Sequence, residues 1–336
     1  MRIDCHVHVI GTGKNGSGCW YYPRGLTRIG APILLRAMGL RPADLDGDFE
    51  EIYAGALRAH IREAGLDAVV ILAQEEPYRD DGTLIADTGS FYVPNDYVLG
   101  LARKHAEFLP AVSIHPARPD ALDELERCLE GGAVILKCLP NCQNMDWNNR
   151  RYRPFLERMA ETGLILLAHT GSERTMPVLR PDLATPRMLT QALEIGVTCI
   201  AAHCGTGMIA LDPDYFDEFV AMTKHYPNLY GDNSALAGLS LRFRPRQMRR
   251  IIEDEELAAR ILYGSDLPVP SSGLVMAAFG MMEWDDYRAS RRHVNPLARD
   301  VMLKRALGFS PESETRLATL LRKPHSARVG RSHPNR

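Results

Sequence analysis

Met1-Arg2-Ile3-Asp4-Cys5-His6-Val7-His8 opens the chain and reads as a short strand. Side chains two apart in a strand point the same way. Asp4, His6 and His8 therefore share one face, and Ile3, Cys5, Val7 and Val9 the other. The apolar face suits packing against helices. The polar face carries two imidazoles and a carboxylate, which are costly to bury without a partner. A divalent metal ion is one such partner. A pair of structural histidines is the plainer alternative, and His-x-His alone does not separate the two.

Further along, apolar runs alternate with amphipathic stretches. Asp67-Ala-Val-Val-Ile-Leu-Ala73 reads as a second strand, followed by Leu109–His115, Ala133–Leu139, Leu164–His169, Thr198–His203, Leu229–Asp232 and Arg260–Asp266. A helical pattern follows each, including Phe49–Ala64 stopped by Gly65, a helix capped by Asn95 or Asp96, and Asp120–Leu129 with Leu122, Leu125 and Leu129 on one face. Near-continuous apolar strands are those of a parallel sheet buried on both sides. Eight β/α units predict a (β/α)8 TIM barrel, and no Gly-x-Gly-x-x-Gly follows the first strand to suggest a dinucleotide fold. One domain is expected over 1–310, with long loop insertions at 11–50 and 74–94. A short helix is expected near Pro32–Met38, and 311–336 forms a C-terminal extension whose basic end is expected to be disordered.

Composition narrows the function. The 336 residues are 45% apolar and 24% charged, ordinary for a globular protein, and the formal charge of -2 offers no basic field for nucleic acid. No apolar run reaches the ~18–20 residues that span a bilayer. Strand-like sequence begins too early for a secretory signal, so a cytoplasmic protein is expected. The seven cysteines are odd in number and form no CxxC pair, which argues against disulfides or a zinc finger.

In such a barrel the active site lies at the C-terminal ends of the strands. There stand His6 and His8 on strand 1, Lys137 on strand 4, His169 on strand 5, His203 on strand 6 and Asp266 on strand 8. Any one of these has a structural excuse; four strands converging with histidines and an aspartate point to a metal. Imidazole and carboxylate donors suit zinc first, with manganese or iron(II) as alternatives.

These residues resemble the amidohydrolase superfamily, and more narrowly its "amidohydrolase 2" branch of metal-dependent TIM-barrel hydrolases and decarboxylases. The resemblance covers roughly 1–310. It implies that His6, His8, His169 and Asp266 hold the metal, and that His203 is a second-metal ligand or orients the reacting water or substrate carbonyl. Lys137 has three readings: a carbamate bridging two ions, a cation for a substrate carboxylate, or a structural ion pair. One or two ions are thus expected. Water activated at the ion would be deprotonated by Asp266 as general base, with His203 steadying the oxyanion, cleaving an amide, ester or lactone of a small molecule. The alternative is non-oxidative decarboxylation of an aromatic or unsaturated acid, with Asp266 or His203 protonating carbon. A barrel that binds metal without catalysis is a third reading.

Substrate hints are weaker. Trp20, Tyr21, Tyr22, Tyr78, Phe91 and Tyr92 either line a pocket or anchor the long loops. Asn141–Trp147, Asp232–Ala235 and the Arg242, Arg244 and Arg246 cluster sit where mouth loops belong. Asp4 is expected to hydrogen-bond a ligand or nearby backbone, and His115 has no evident partner. A homodimer is the default assembly.

Overall fold

The structure is a computed structural model that describes residues 1–22, 32, 34–36, 38–86, 88, 90–207, 211–237 and 245–322. The helix expected near Pro32–Met38 lies partly outside them; Arg242, Arg244 and the chain beyond 322 lie wholly outside.

Each apolar run forms a strand: β1 (Ile3–His8), β2 (Ala68–Leu72), β3 (Phe108–Val112), β4 (Ile135–Cys138), β5 (Ile165–His169), β6 (Cys199–Ala202), β7 (Leu229–Asp232) and β8 (Ile261–Leu262). They lie side by side in chain order, every pair parallel. Past Leu262 the chain runs on along β1 and closes the ring. Cys5 N donates to Tyr263 O at 2.9 Å, Asp266 N to His6 O at 2.9 Å and His8 N to Leu267 O at 2.8 Å. The fold is a (β/α)8 TIM barrel.

Alternation along the strands divides the core in two. Ile3, Val70, Ala111, Ile135, Leu167, Ile200 and Leu262 fill the barrel interior. Val69, Ile71, Val112, Leu136, Leu166 and Ala201 pack outward beneath the helices. The expected helices are present, among them Phe49–Glu63, Ala121–Glu130, Arg153–Thr162, Phe216–His225 and Pro296–Ala306. Two details differ from the sequence reading. Asn95 is the first residue of helix Asn95–Lys104; its side chain accepts from Ser113 N at 2.8 Å rather than capping. In Ala121–Glu130 the buried stripe is Ala121, Leu125 and Cys128, and Leu122 is exposed, because the helix is turned slightly from the phase that three leucines suggested.

One helix was not anticipated. Ser313–Arg322 lays Leu317, Ala318 and Leu320 against the interior side chains of the barrel, with Ile3, Cys5 and Leu262 in the same cluster. At the opposite rim the two long loops are tied by an antiparallel ribbon that pairs Trp20 with Tyr92 and Tyr21 with Phe91. The Trp20 and Tyr92 rings stack with centroids 6.2 Å apart. These aromatics anchor the loops; Phe91 alone turns its edge toward His8, at 6.4 Å. No helix among the described residues is long and apolar enough to cross a membrane.

Candidate metal centre

Strict alternation would put Asp4 beside His6 and His8, and β1 does not alternate strictly. Its partners on β2 run Asp4 to Val69 and then Val7 to Ile71, three steps against two. That extra residue is a bulge, and a bulge re-aims side chains. Ile3 and Cys5 therefore face the barrel interior, Val7 and Val9 face the helices, and the histidines turn into the cup at the mouth. Asp4 is separated from them. It accepts His6 N and Ser265 N, each at 3.0 Å, and burial pushes its carboxyl up to about 7. It thus pins β1 to β8 rather than lining the cup.

Asp266 stands between the two histidines of β1. Its Oδ1 lies 3.4 Å from His6 Nε2 and 3.3 Å from His8 Nε2. Despite burial, His8 and the other imidazoles beside it hold this carboxyl well below the usual carboxylate range. Its backbone is left-handed, with φ 62°. His203 uses the same device. Ala202 already faces the interior, so the next residue would point outward; φ of 61° at His203 and 54° at Cys204 swings the ring back into the cup. Such conformations cost about 1–3 kcal/mol and persist only where neighbours hold them. Here His203 N donates to Asp232 Oδ1 at 2.8 Å and Thr206 Oγ1 donates to His203 O at 2.8 Å.

The expected site residues converge at one mouth, though not equally. Potential ligand atoms of His6, His203 and Asp266 all lie within 4.8 Å of one another. His8 joins through Asp266. The His169 ring sits 5.0 Å from that of His203, and its Nε2 is 3.8 Å from Glu173 Oε2. That buried Nε2 has no hydrogen-bond partner. An orphaned imidazole nitrogen among imidazoles and a carboxylate fits a divalent ion of the zinc or manganese kind. Lys137 is buried within the same cup. Its Nζ is 3.3 Å from His6 Nε2, and burial lowers its pKa. Among the described residues no carboxylate lies within ion-pair distance of it, and Asp232 and Asp266 attract it from farther off.

Sequence reasoning passed over two participants. Asp232 closes a strand just as Asp266 follows one, yet its position in the sequence marks it only as a mouth-loop residue; it is fully buried, with Oδ2 2.8 Å from His6 Nδ1. Glu173 lies in a loop with no periodic signal. Other candidates have ordinary roles. His115 Nε2 donates to Gln143 O at 3.0 Å while Nδ1 accepts Ala117 N at 3.1 Å. Arg246 pairs with Asp217 on the surface at 2.8 Å. Leu139, Cys142 and Met176, with Phe91 against them, form an apolar wall beside the polar cup. All seven cysteines are free and buried.

A family profile described as Amidohydrolase matches residues 3–294. The chain belongs to the amidohydrolase family. Amidohydrolases of this family are metal-dependent enzymes that include hydrolases and decarboxylases. No curated relative matches the chain. Solved structures share the barrel. An uncharacterized TIM-barrel protein from Bordetella bronchiseptica is 17% identical with a TM-score of 0.58, covering 96% of this chain and 99% of its own. A probable 2-pyrone-4,6-dicarboxylic acid hydrolase from Acinetobacter baumannii, with citric acid bound, is 14% identical at TM-score 0.55, covering 94% and 98%. The 5-carboxyvanillate decarboxylase of Sphingomonas paucimobilis is 14% identical at TM-score 0.51, covering 98% of each chain. At these identities the likeness speaks for the barrel fold alone.

Proposed function

We propose that this chain is a metal-dependent hydrolase that cleaves an amide, ester or lactone bond of a small molecule. The observation that carries the proposal is Asp266, an ionised carboxylate 3.3–3.4 Å from two imidazoles at the mouth of the barrel. Hydrolysis starts by taking a proton from water, and a carboxylate in that state is an acceptor. His6, His8, His169 and Asp266 would hold the ion, zinc first by donor type, with His203 available to a second one. When bound, a divalent ion supplies a water acidified toward a pKa of roughly 7 and a positive centre that polarises a carbonyl.

The chain's own groups do the rest. The Asp266 carboxylate takes the water proton and returns it to the leaving group. Phe91, Leu139 and Met176 shed water from the apolar side of the mouth and suit a substrate with an apolar or aromatic body. Lys137 separates two versions of the site. An uncharged Lys137 amine could add carbon dioxide, lose a proton and give a carbamate able to hold two ions; a charged one would grip a substrate carboxylate. Two ions per chain with a carbamate at Lys137 support the first version, and one ion beside a bare amine supports the second.

The test has two parts. Asp266→Asn should cut turnover by about 10²–10⁴, the usual share of a general base, while metal analysis still finds most of the ion. Product formed in heavy-oxygen water should carry the label. Unlabelled product released with carbon dioxide overturns hydrolysis in favour of the decarboxylase reading.

A further inference from the structure

We infer that Asp232 and Ser234 form a positioning bracket that puts the ring proton of both His6 and His203 on Nδ1, so that each imidazole offers the cup a bare Nε2. Four donors converge on the Asp232 carboxylate. His203 N reaches Oδ1 at 2.8 Å and Ser234 N reaches it at 3.2 Å. The Ser234 hydroxyl donates to the same oxygen, and His6 Nδ1 lies 2.8 Å from Oδ2. An ionised carboxylate only accepts, so His6 Nδ1 carries the hydrogen. A neutral imidazole has one, and His6 Nε2 is therefore bare.

The same count settles His203. A hydroxyl has a single hydrogen, and Ser234 gives its own to Asp232. Its oxygen, 2.8 Å from His203 Nδ1, must then accept. The Ser234 carbonyl, 3.2 Å from that nitrogen, is an acceptor without exception. Both contacts require a hydrogen on His203 Nδ1. The partner of one ring nitrogen decides the state of the other. Held in this way, the neutral form of His203 accepts at Nε2, where it can bind an ion or take a proton. The inference rests on the proposed metal site only for its effect on affinity.

The experiment reads the rings directly. Histidine labelled with nitrogen-15, in metal-free protein, gives two-bond proton–nitrogen correlations that separate the two tautomers; His6→Gln and His203→Gln assign the signals. Wild-type protein should show Nδ1–H and bare Nε2 at both rings. In Asp232→Asn an amide group must face either the donors His203 N and Ser234 N or the His6 Nδ1 hydrogen. Its fixed pattern at His6 should be lost, and zinc affinity, measured by chelator competition, should fall about 10–100-fold. Ser234→Ala should keep the His6 pattern. Nε2–H at either ring in wild-type protein overturns the inference, even if Asp232→Asn does not fold. A wild-type ring pattern and zinc affinity within about twofold in Asp232→Asn overturn it too. Wild-type protein that binds no ion refutes the proposed metal site instead, and the ring pattern still decides this one.

Discussion

His115 and His6 are both buried imidazoles near the mouth, and their surroundings give them different work. His115 hydrogen-bonds only backbone, and burial lowers its pKa to about 4. The unfolded chain takes up that proton near pH 6.5 and the folded chain does not until about 4. Folding stability should therefore be fully present above pH 6.5 and fall as pH drops toward 4. The loss attributable to His115 is about 3 kcal/mol at most. His115→Gln should flatten that limb of a denaturation-versus-pH profile; an unchanged slope assigns the acid sensitivity elsewhere. His6, His8 and Asp266 were legible from sequence because an ionisable side chain at the end of an apolar run has few other reasons to be there. Asp232 has the same form, but its value depends on meeting His6, 226 positions away, which no local pattern encodes. The left-handed backbone of His203 and its serine partner leave no mark in the spacing.

Strands and helices were readable where burial imposes a period. Each of the eight strands appears where an apolar run predicted it. The faces of β1 were misassigned because one bulge reverses the parity of every side chain beyond it. The helix Ser313–Arg322 gives no separate signal in the sequence because it follows Gly308, a natural stop, and its apolar residues merge with the polar extension. Its contribution is measurable. Leu317 is 1% exposed against the barrel interior, so Leu317→Ala should cost about 2–5 kcal/mol in urea unfolding. Metal content in native buffer should stay the same, since this contact lies at the end of the barrel away from the mouth. A change below about 0.5 kcal/mol would show that the helix rests on the barrel without supporting it.

At the scale of the whole molecule, an ion held by His6, His8 and Asp266 would join the first barrel strand to the last. Anything bound only by the folded state stabilises it, by about 2.7 kcal/mol at a hundredfold excess over Kd. Chelation should therefore lower the melting temperature by roughly 4 °C, and zinc or manganese should restore it. Identical melting curves with and without chelator would mean that the cup does not grip an ion in the native protein.

The seam between β1 and β8 also sets an order of events during synthesis. The ribosome makes His6 and His8 first and Asp266 some 260 residues later, so early nascent chains display two imidazoles with no carboxylate to complete their grip. Until the last strand emerges and zips against the first, the edge of β1 stays unpaired. A fragment that stops short of Asp266 would therefore lack the carboxylate that the proposed centre needs.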